Sequence, residues 1–201
     1  MKRLKRSYRT TGRDHLARAQ ALLAKEDDGE LVYAVLELRM AIECHVYATA
    51  ETYLDELPRK PLGKWQPPAL LKELMRIDPH AATTGTLSFA RETAPGVAGN
   101  TWVELGTQKR MALKEVREVY HGLGHFLHIE TVLDRADGKL RDIKQLRKKC
   151  DDLAARLVDI YSATIHNLKM GHTATLECLV CAKPIKRRLD GLKEGESLTT
   201  E

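Results

Sequence analysis

Between Leu31 and Ala50 the chain reads LVYAVLELRMAIECHVYATA, and apolar residues in this stretch fall on nearly every side of a helix. A helix with one apolar stripe lies on a surface, whereas one that is apolar all round has neighbours on several sides. The segment therefore predicts a central helix, about Leu31 to Leu54, with its first half enclosed by others. It does not predict a membrane span, because Glu37, Arg39, Glu43 and His45 interrupt it and a lone span would bury them at high cost. Aromatic residues are only 5% of the chain, so the core must be built from aliphatic side chains, a balance that suits helices. The expectation is an all-α fold.

The elements around that helix follow from punctuation and period. Asp14 can cap a helix with Leu16, Ala19, Leu22 and Leu23 on one side, ending near Gly29. Pro58, Pro61, Gly63, Pro67 and Pro68 then break regular structure, and a prolyl start opens the short helix PALLKELMRI before Asp78-Pro79. From His80 to Gly106 helical period lapses, and Thr86–Phe89 and Thr101–Val103 read as short strands flanking a loop with Pro95, Gly96 and Gly99. Helical spacing returns from Leu113 to about Ile129. A last helix carries Leu140, Ile143, Leu146, Cys150, Leu153, Leu157 and Ile160 at steps of three and four, a stripe that needs a partner helix or a second subunit. Cys150 on that stripe reads as a buried, unreactive thiol. The sum is a bundle of about five helices with a small irregular or β excursion and a short C-terminal CxxC tail.

Charge is unevenly placed. The net charge is +5, yet residues 1–13 hold Lys2, Arg3, Lys5, Arg6, Arg9 and Arg13 with no acid, so the rest of the chain carries −1. Residues 1–13 read as a basic arm able to hold phosphates of a nucleic acid in a salt-dependent way, residues 14–171 as the helical domain and residues 172–201 as a tail. The start of the chain lacks the apolar stretch of a secretory signal. Four cysteines in no disulfide-like framework point to the cytoplasm.

Two patches carry possible chemistry. In REVYHGLGHFLHIE, His121, His125 and His128 stand at i, i+4 and i+7, within about 60° on one helix face at ~100° per residue, with Glu118 beside them. Such a stripe can bind a divalent metal, supply a general acid or base, or simply line a groove. Gly122 and Gly124 in the same helix each cost about 1 kcal/mol against Ala, so a close approach of another backbone or a ligand is expected there. On the central helix, Arg39 and Glu43 are four apart and can pair, while Glu37 needs its own partner. The pair either fixes helix register or leaves Arg39 facing a phosphate or carboxylate. In the tail, CLVCAKPIKRR has the shape of one zinc knuckle, with Cys178 and Cys181 as half of a tetrahedral site; zinc bound there would be completed by His172, by a second subunit or by residues beyond the end.

Several segments together resemble uncharacterised bacterial proteins of the HEPN-like superfamily: YAVLELRMAIE, KWQPPALLKELMRIDP, the WVELG turn, LKEVREVYHGLGHFLH and a terminal C..C..PI.RR...L..G. The resemblance implies a helical bundle, frequently a homodimer, of a kind common in toxin and anti-phage systems. In catalytic members it implies a metal-independent ribonuclease that uses an arginine followed, after four to six residues, by a histidine. Two such pairs occur, Arg9/His15 and Arg39/His45, about the number that chance placement of 17 Arg and 8 His gives, and Arg117/His121 is one residue too close. Within the resemblance His128 matches the histidine of the LG..LH segment. The related proteins continue into a second cysteine pair, so the tail looks like a half zinc ribbon.

Three functional expectations follow. The first is a noncatalytic adaptor or accessory protein of a bacterial defence or toxin system that binds a partner protein or RNA. The second is a metal-independent ribonuclease with His128 as acid or base and Arg39 or Arg117 stabilising phosphate charge, Glu43 beside them. The third is a metal-dependent hydrolase built on His121, His125 and His128.

Overall fold

The structure, a computed structural model, describes residues 6–25, 27–57, 59–63, 65–138, 142–169, 171, 173–177, 180–182 and 184–188. These residues are mainly helical. In chain order they form α1 (Tyr8–Leu23), α2 (Asp28–Glu51), α3 (Arg59–Leu62), α4 (Pro67–Ile77), β1 (Gly85–Ala94), β2 (Val97–Gln108), α5 (Leu113–Phe126), α6 (Val132–Ala136), α7 (Ile143–Ser162), β3 (Thr173–Glu177) and β4 (Pro184–Arg188). That is seven helices among the described residues, not about five, because α3 and α6 each add about one turn.

Helix α2 is the hub, packing against α1, α4, α5 and α7. Its complete enclosure lies later than the sequence suggests. Every residue from Ala41 to Val46 is buried, whereas Val32, Tyr33 and Leu36 in the first half are exposed. At about 100° per residue Leu31, Ala34, Val35 and Leu38 share one face and Val32, Tyr33 and Leu36 the opposite one, so the early turns are covered on one side only. Leu31, Val35, Leu38, Ile42 and Val46 are at most 1% exposed, and each fully buried aliphatic side chain of this size contributes about 1.5–3 kcal/mol. On α7 the stripe Leu146, Cys150, Leu153, Leu157 and Ile160 is buried and finds its partners within the chain, on α1 and α2. Burial pushes the Cys150 thiol up to about 11, which keeps it protonated and inert.

The first helix begins six residues before the expected cap. Ser7 Oγ accepts from Thr10 N at 3.1 Å and caps α1, while Asp14 lies inside the helix and pairs with Arg6 at 2.7 Å. The cause lies far along the chain but next to α1 in space. Helix α7 has no basic residue in its last turn, and its open carbonyls need donors. Arg9 Nη2 donates to Tyr161 O at 2.8 Å and Ala163 O at 2.7 Å, and Arg13 Nη2 to Tyr161 O at 2.6 Å. Gly12, between these arginines, allows the contact: a Cβ there would stand 1.9 Å from Tyr161 Oη and 2.9 Å from Cys44 Cβ.

The excursion is a long antiparallel hairpin. Strands β1 and β2 pair from Gly85↔Gln108 to Ala94↔Val97, with irregularities after Leu87, Ala90 and Glu92. Pro95 and Gly96 make the turn, Gly96 supplying φ +76°. The hairpin is anchored at its base. Gln108 pairs with Ile165 and holds Leu168 N through Oε1 at 2.7 Å, and Gly106, at φ +140°, leaves room where a Cβ would meet Thr164 Oγ1 at 2.8 Å. Arg110, buried, donates to Thr49 Oγ1 and to Gln108 Oε1, tying β2 to α2. Strands β3 and β4 form a second hairpin, with Glu177 opposite Pro184.

His45 belongs to the same inner layer. Its Nε2 accepts from Met111 N at 3.4 Å, and burial, reinforced by the charges of Arg110, Arg9 and Arg156, pushes its imidazole down to about 3. An unfolded chain protonates this histidine near pH 6.5 while the folded one does not. Its contribution to stability is therefore complete above pH 6.5 and is lost as pH falls toward 3, at up to about 1.4 kcal/mol per pH unit. Denaturant unfolding between pH 6.5 and 4.5 should show a shallower loss for His45→Gln than for the wild type, by roughly that slope. Equal slopes would mean that His45 is solvated in the native state.

Candidate functional site

The cleft between α4 and α5 is built on one arginine of the hub. Arg39 is half-buried on α2, and its guanidinium lies over the Tyr120 ring at 3.8 Å from the centroid. Nη1 points at Tyr120 O at 3.5 Å, and Nε stands 3.8 Å from Glu43 Oε1. Tyr120 in turn donates its hydroxyl to Glu43 Oε1 at 2.7 Å. Burial, then the hydrogen bond to this carboxylate, raises the Tyr120 phenol above its usual value, so it stays a donor. The sequence offers an ion pair or an anion-facing arginine as alternatives. The structure gives Arg39 both positions, paired at long range with Glu43 and lining a cavity.

That cavity, about 530 Å³, is lined by Arg39, Lys72, Arg117 and His121, with Trp65, Gln66, Pro68, Ala69 and Tyr120 completing the wall. Three cationic side chains share it, and among the described residues no carboxylate lines it. Among the described residues neither Lys72 nor Arg117 has an ion-pair partner. Lys72 lies on the exposed side of α4, away from Leu70, Leu71 and Leu74. Trp65, just before the prolyl start of α4, is 84% exposed. So poorly buried an indole, in the stretch of Gly and polar residues that precedes α4, marks this edge of the site.

Trp65 also borders a second cavity of about 520 Å³, on the side of α1 and α3, where Tyr8, Tyr47, Leu54 and Leu62 give it an apolar character and Arg6, Glu43 and Glu51 add charge. The Tyr8 and Tyr47 rings lie 5.4 Å apart. A third groove of about 440 Å³ runs between α5 and α7, with Val119, Leu123 and Phe126 as floor and Glu115, Glu118 and Asp152 among its rim. Its carboxylates set it apart from the cationic cleft.

The remaining sequence candidates are scattered. Helix α5 ends at Phe126, so His128 lies past it, exposed and not among the cleft residues; the i+7 spacing assumed a helix that continues. His125 is exposed and does not line the cleft either. Among the described residues no three His, Cys, Asp or Glu side chains gather as metal ligands, and the three-histidine stripe is not formed. Of the two arginine–histidine pairs, Arg9 serves the α7 carbonyls and His45 is buried; His15 instead hydrogen-bonds Glu37 at 2.7 Å, which supplies the partner Glu37 needs, together with Arg18 at 3.0 Å. Arg13 is likewise used by α7, and Arg6 by Asp14 and the second cavity. Lys2, Arg3, Lys5, Leu140, His172 and Cys178 lie outside the described residues, and Cys181 is exposed.

The two glycines of α5 resolve differently. A Cβ at Gly124 would stand 2.7 Å from Arg39 Nη1, whereas one at Gly122 would meet nothing within 4 Å. Gly122→Ala should therefore stabilise the protein by several tenths to about 1 kcal/mol, read as a rise in Tm. Gly124→Ala should return less of that gain, because Arg39 must shift from the tyrosine face; equal gains for both would show that Arg39 is not held against α5. Comparisons of the chain with models of protein families, with curated proteins and with solved structures found no match.

Proposed function

We propose that this protein is a HEPN-like helical adaptor or accessory protein of a bacterial defence or toxin system, and that it binds nucleic acid through the cleft of Arg39, Lys72 and Arg117. The observation that carries the binding part is the convergence of three cationic side chains on one cavity that no described carboxylate lines, beside an exposed indole. Phosphate oxygens match the cations and a base matches the indole face. The system type rests on the sequence resemblance. Arg9 and Arg13 have no part in this interface, since helix α7 already occupies them.

A labelled single-stranded RNA titrated by fluorescence anisotropy tests the reading. The double variant Lys72→Gln/Arg117→Gln should bind at least 10-fold more weakly than the wild type at moderate salt. The slope of log K against log salt should fall by about 1.4, at ~0.7 per lost contact to a single strand. Both residues are exposed, so Tm should change little. An unchanged slope would place the interface elsewhere.

One observation favours a second reading, the metal-independent ribonuclease. His121 lines the same cavity as Arg39 and Arg117, so the acid or base would be His121 and not His128. Incubation of the RNA with purified protein in EDTA should then give fragments that His121→Ala no longer produces, with His128→Ala still active. Intact RNA under these conditions leaves the binding reading alone.

A further inference from the structure

The cationic cleft and the apolar cavity beside it divide one ligand's chemistry between them. Arg39, Lys72 and Arg117 bring up to three positive charges to a cavity of about 530 Å³. An internal phosphodiester carries one negative charge, and its neighbours along an extended strand lie several ångströms away. A terminal phosphate carries about −1.5 to −2 and three strong acceptor oxygens, which suits several donors gathered in one place. The guanidinium of Arg39 is also held as a plane, by the Tyr120 ring at 3.8 Å and by the space at Gly124. A fixed planar fork favours bidentate contact with two oxygens of one phosphate.

The other half supplies a different chemistry. Trp65 belongs to both cavities, and past it lie Tyr8, Tyr47, Leu54 and Leu62. A flat aromatic group on the indole would have its charged end on the arginines and its body toward an apolar surface. We infer that the paired cavities bind a nucleoside bearing a terminal phosphate, with the phosphate among Arg39, Lys72 and Arg117 and the base on Trp65. This rests on the proposed nucleic-acid reading only in part, because the same group occurs as the phosphorylated end of an RNA strand and as a free nucleotide.

Competition binding on the full chain separates these sources and tests both statements. The probe is a labelled RNA octamer with a 5′-phosphate, and the arms are the same octamer with a 5′-hydroxyl, with a 3′-phosphate, free adenosine 5′-triphosphate, and inorganic pyrophosphate. A phosphorylated end should bind at least 10-fold more tightly than the hydroxyl-ended strand, and Arg117→Gln should remove that preference. Trp65→Ala should weaken the octamer and the free nucleotide about 10-fold while leaving pyrophosphate competition unchanged. Equal affinity for the phosphorylated and hydroxyl-ended strands would overturn the inference and leave strand binding standing. Binding of the free nucleotide, titrated directly by calorimetry, with no binding of any RNA would uphold the inference and overturn the nucleic-acid reading. No binding in any arm would overturn both, and a Trp65→Ala variant identical to wild type would remove the base from the site.

Discussion

The structure turns on the requirement that the middle of α2 be dry on every side. Burial of Ala41 to Val46 demands neighbours all round, and α1, α4, α5 and α7 supply them. Once they are in place, each polar residue of α2 must be satisfied by one of those neighbours, because an unpaired buried polar group costs about 1–3 kcal/mol. Glu37 is met by His15 and Arg18 of α1, Glu43 by Tyr120 of α5, Thr49 by Arg110 before α5, and His45 by the Met111 amide. The polar partners therefore specify which helix lies where, while the apolar surface specifies only that helices lie there. Arg39 is the residue at which this pairing is least complete, and it is there that a cavity opens.

The hairpin of β1 and β2 is tied to the same inner layer. Its outer part carries Phe89, Trp102, Val103 and Leu105 with about half of each side chain exposed. Its base ends in Gln108 and Arg110, both buried, which join α2 to the segment after α7. Among the described residues Arg110 has no salt bridge, and burial lowers its pKa to about 10, which still leaves it protonated. Thr49 Oγ1 and Gln108 Oε1 take up two of its donor nitrogens, while its Nε, buried, has no hydrogen-bond partner among the described residues. The arrangement makes the hairpin an outgrowth of the core and not a loop laid on its surface.

Much of this was legible in the sequence where one period dominates. The stripe of α7 from Ile143 to Ile160 and the prolyl start of α4 appear as read, because apolar spacing and proline geometry act locally. The start of α1 was not legible, since the preference for Ser7 over Asp14 depends on carbonyls of α7 more than a hundred residues away. The hairpin was underestimated for a different reason. With both faces largely exposed, its strands lack the alternation that burial of one face imposes, and only Thr86–Phe89 and Thr101–Val103 stood out. At the site, Arg39 and Arg117 were legible as cations that could face phosphate. Lys72 and Trp65 were not, because exposure of a lysine is ordinary and nothing local says that α4 will lie beside α5.

The spacing of the arginine–histidine pairs shows why a pattern must be read on the element that carries it. Six residues along an unbroken helix turn about 600°, so Arg39 and His45 point some 120° apart; α2 is continuous through both, and His45 goes to the core while Arg39 goes to the cleft. Four residues turn about 400°, which returns nearly to the start, and Arg117 and His121 line the cleft together although their spacing falls outside the motif. The contacts of the arginines make the same distinction by another route. Those that serve the fold are closely held: Arg13 at 2.6 Å from Tyr161 O, Arg147 at 3.0 Å from Asp28, Arg156 at 3.0 Å from Glu115. Arg39 makes its polar contacts only at 3.5 and 3.8 Å, and Arg117 has no ion-pair partner among the described residues. A half-buried guanidinium with its plane fixed and its donors incompletely used has already lost much of the freedom that ligand binding would otherwise cost, which is why an anion in this cleft would gain more from Arg39 than from any cation on the open surface.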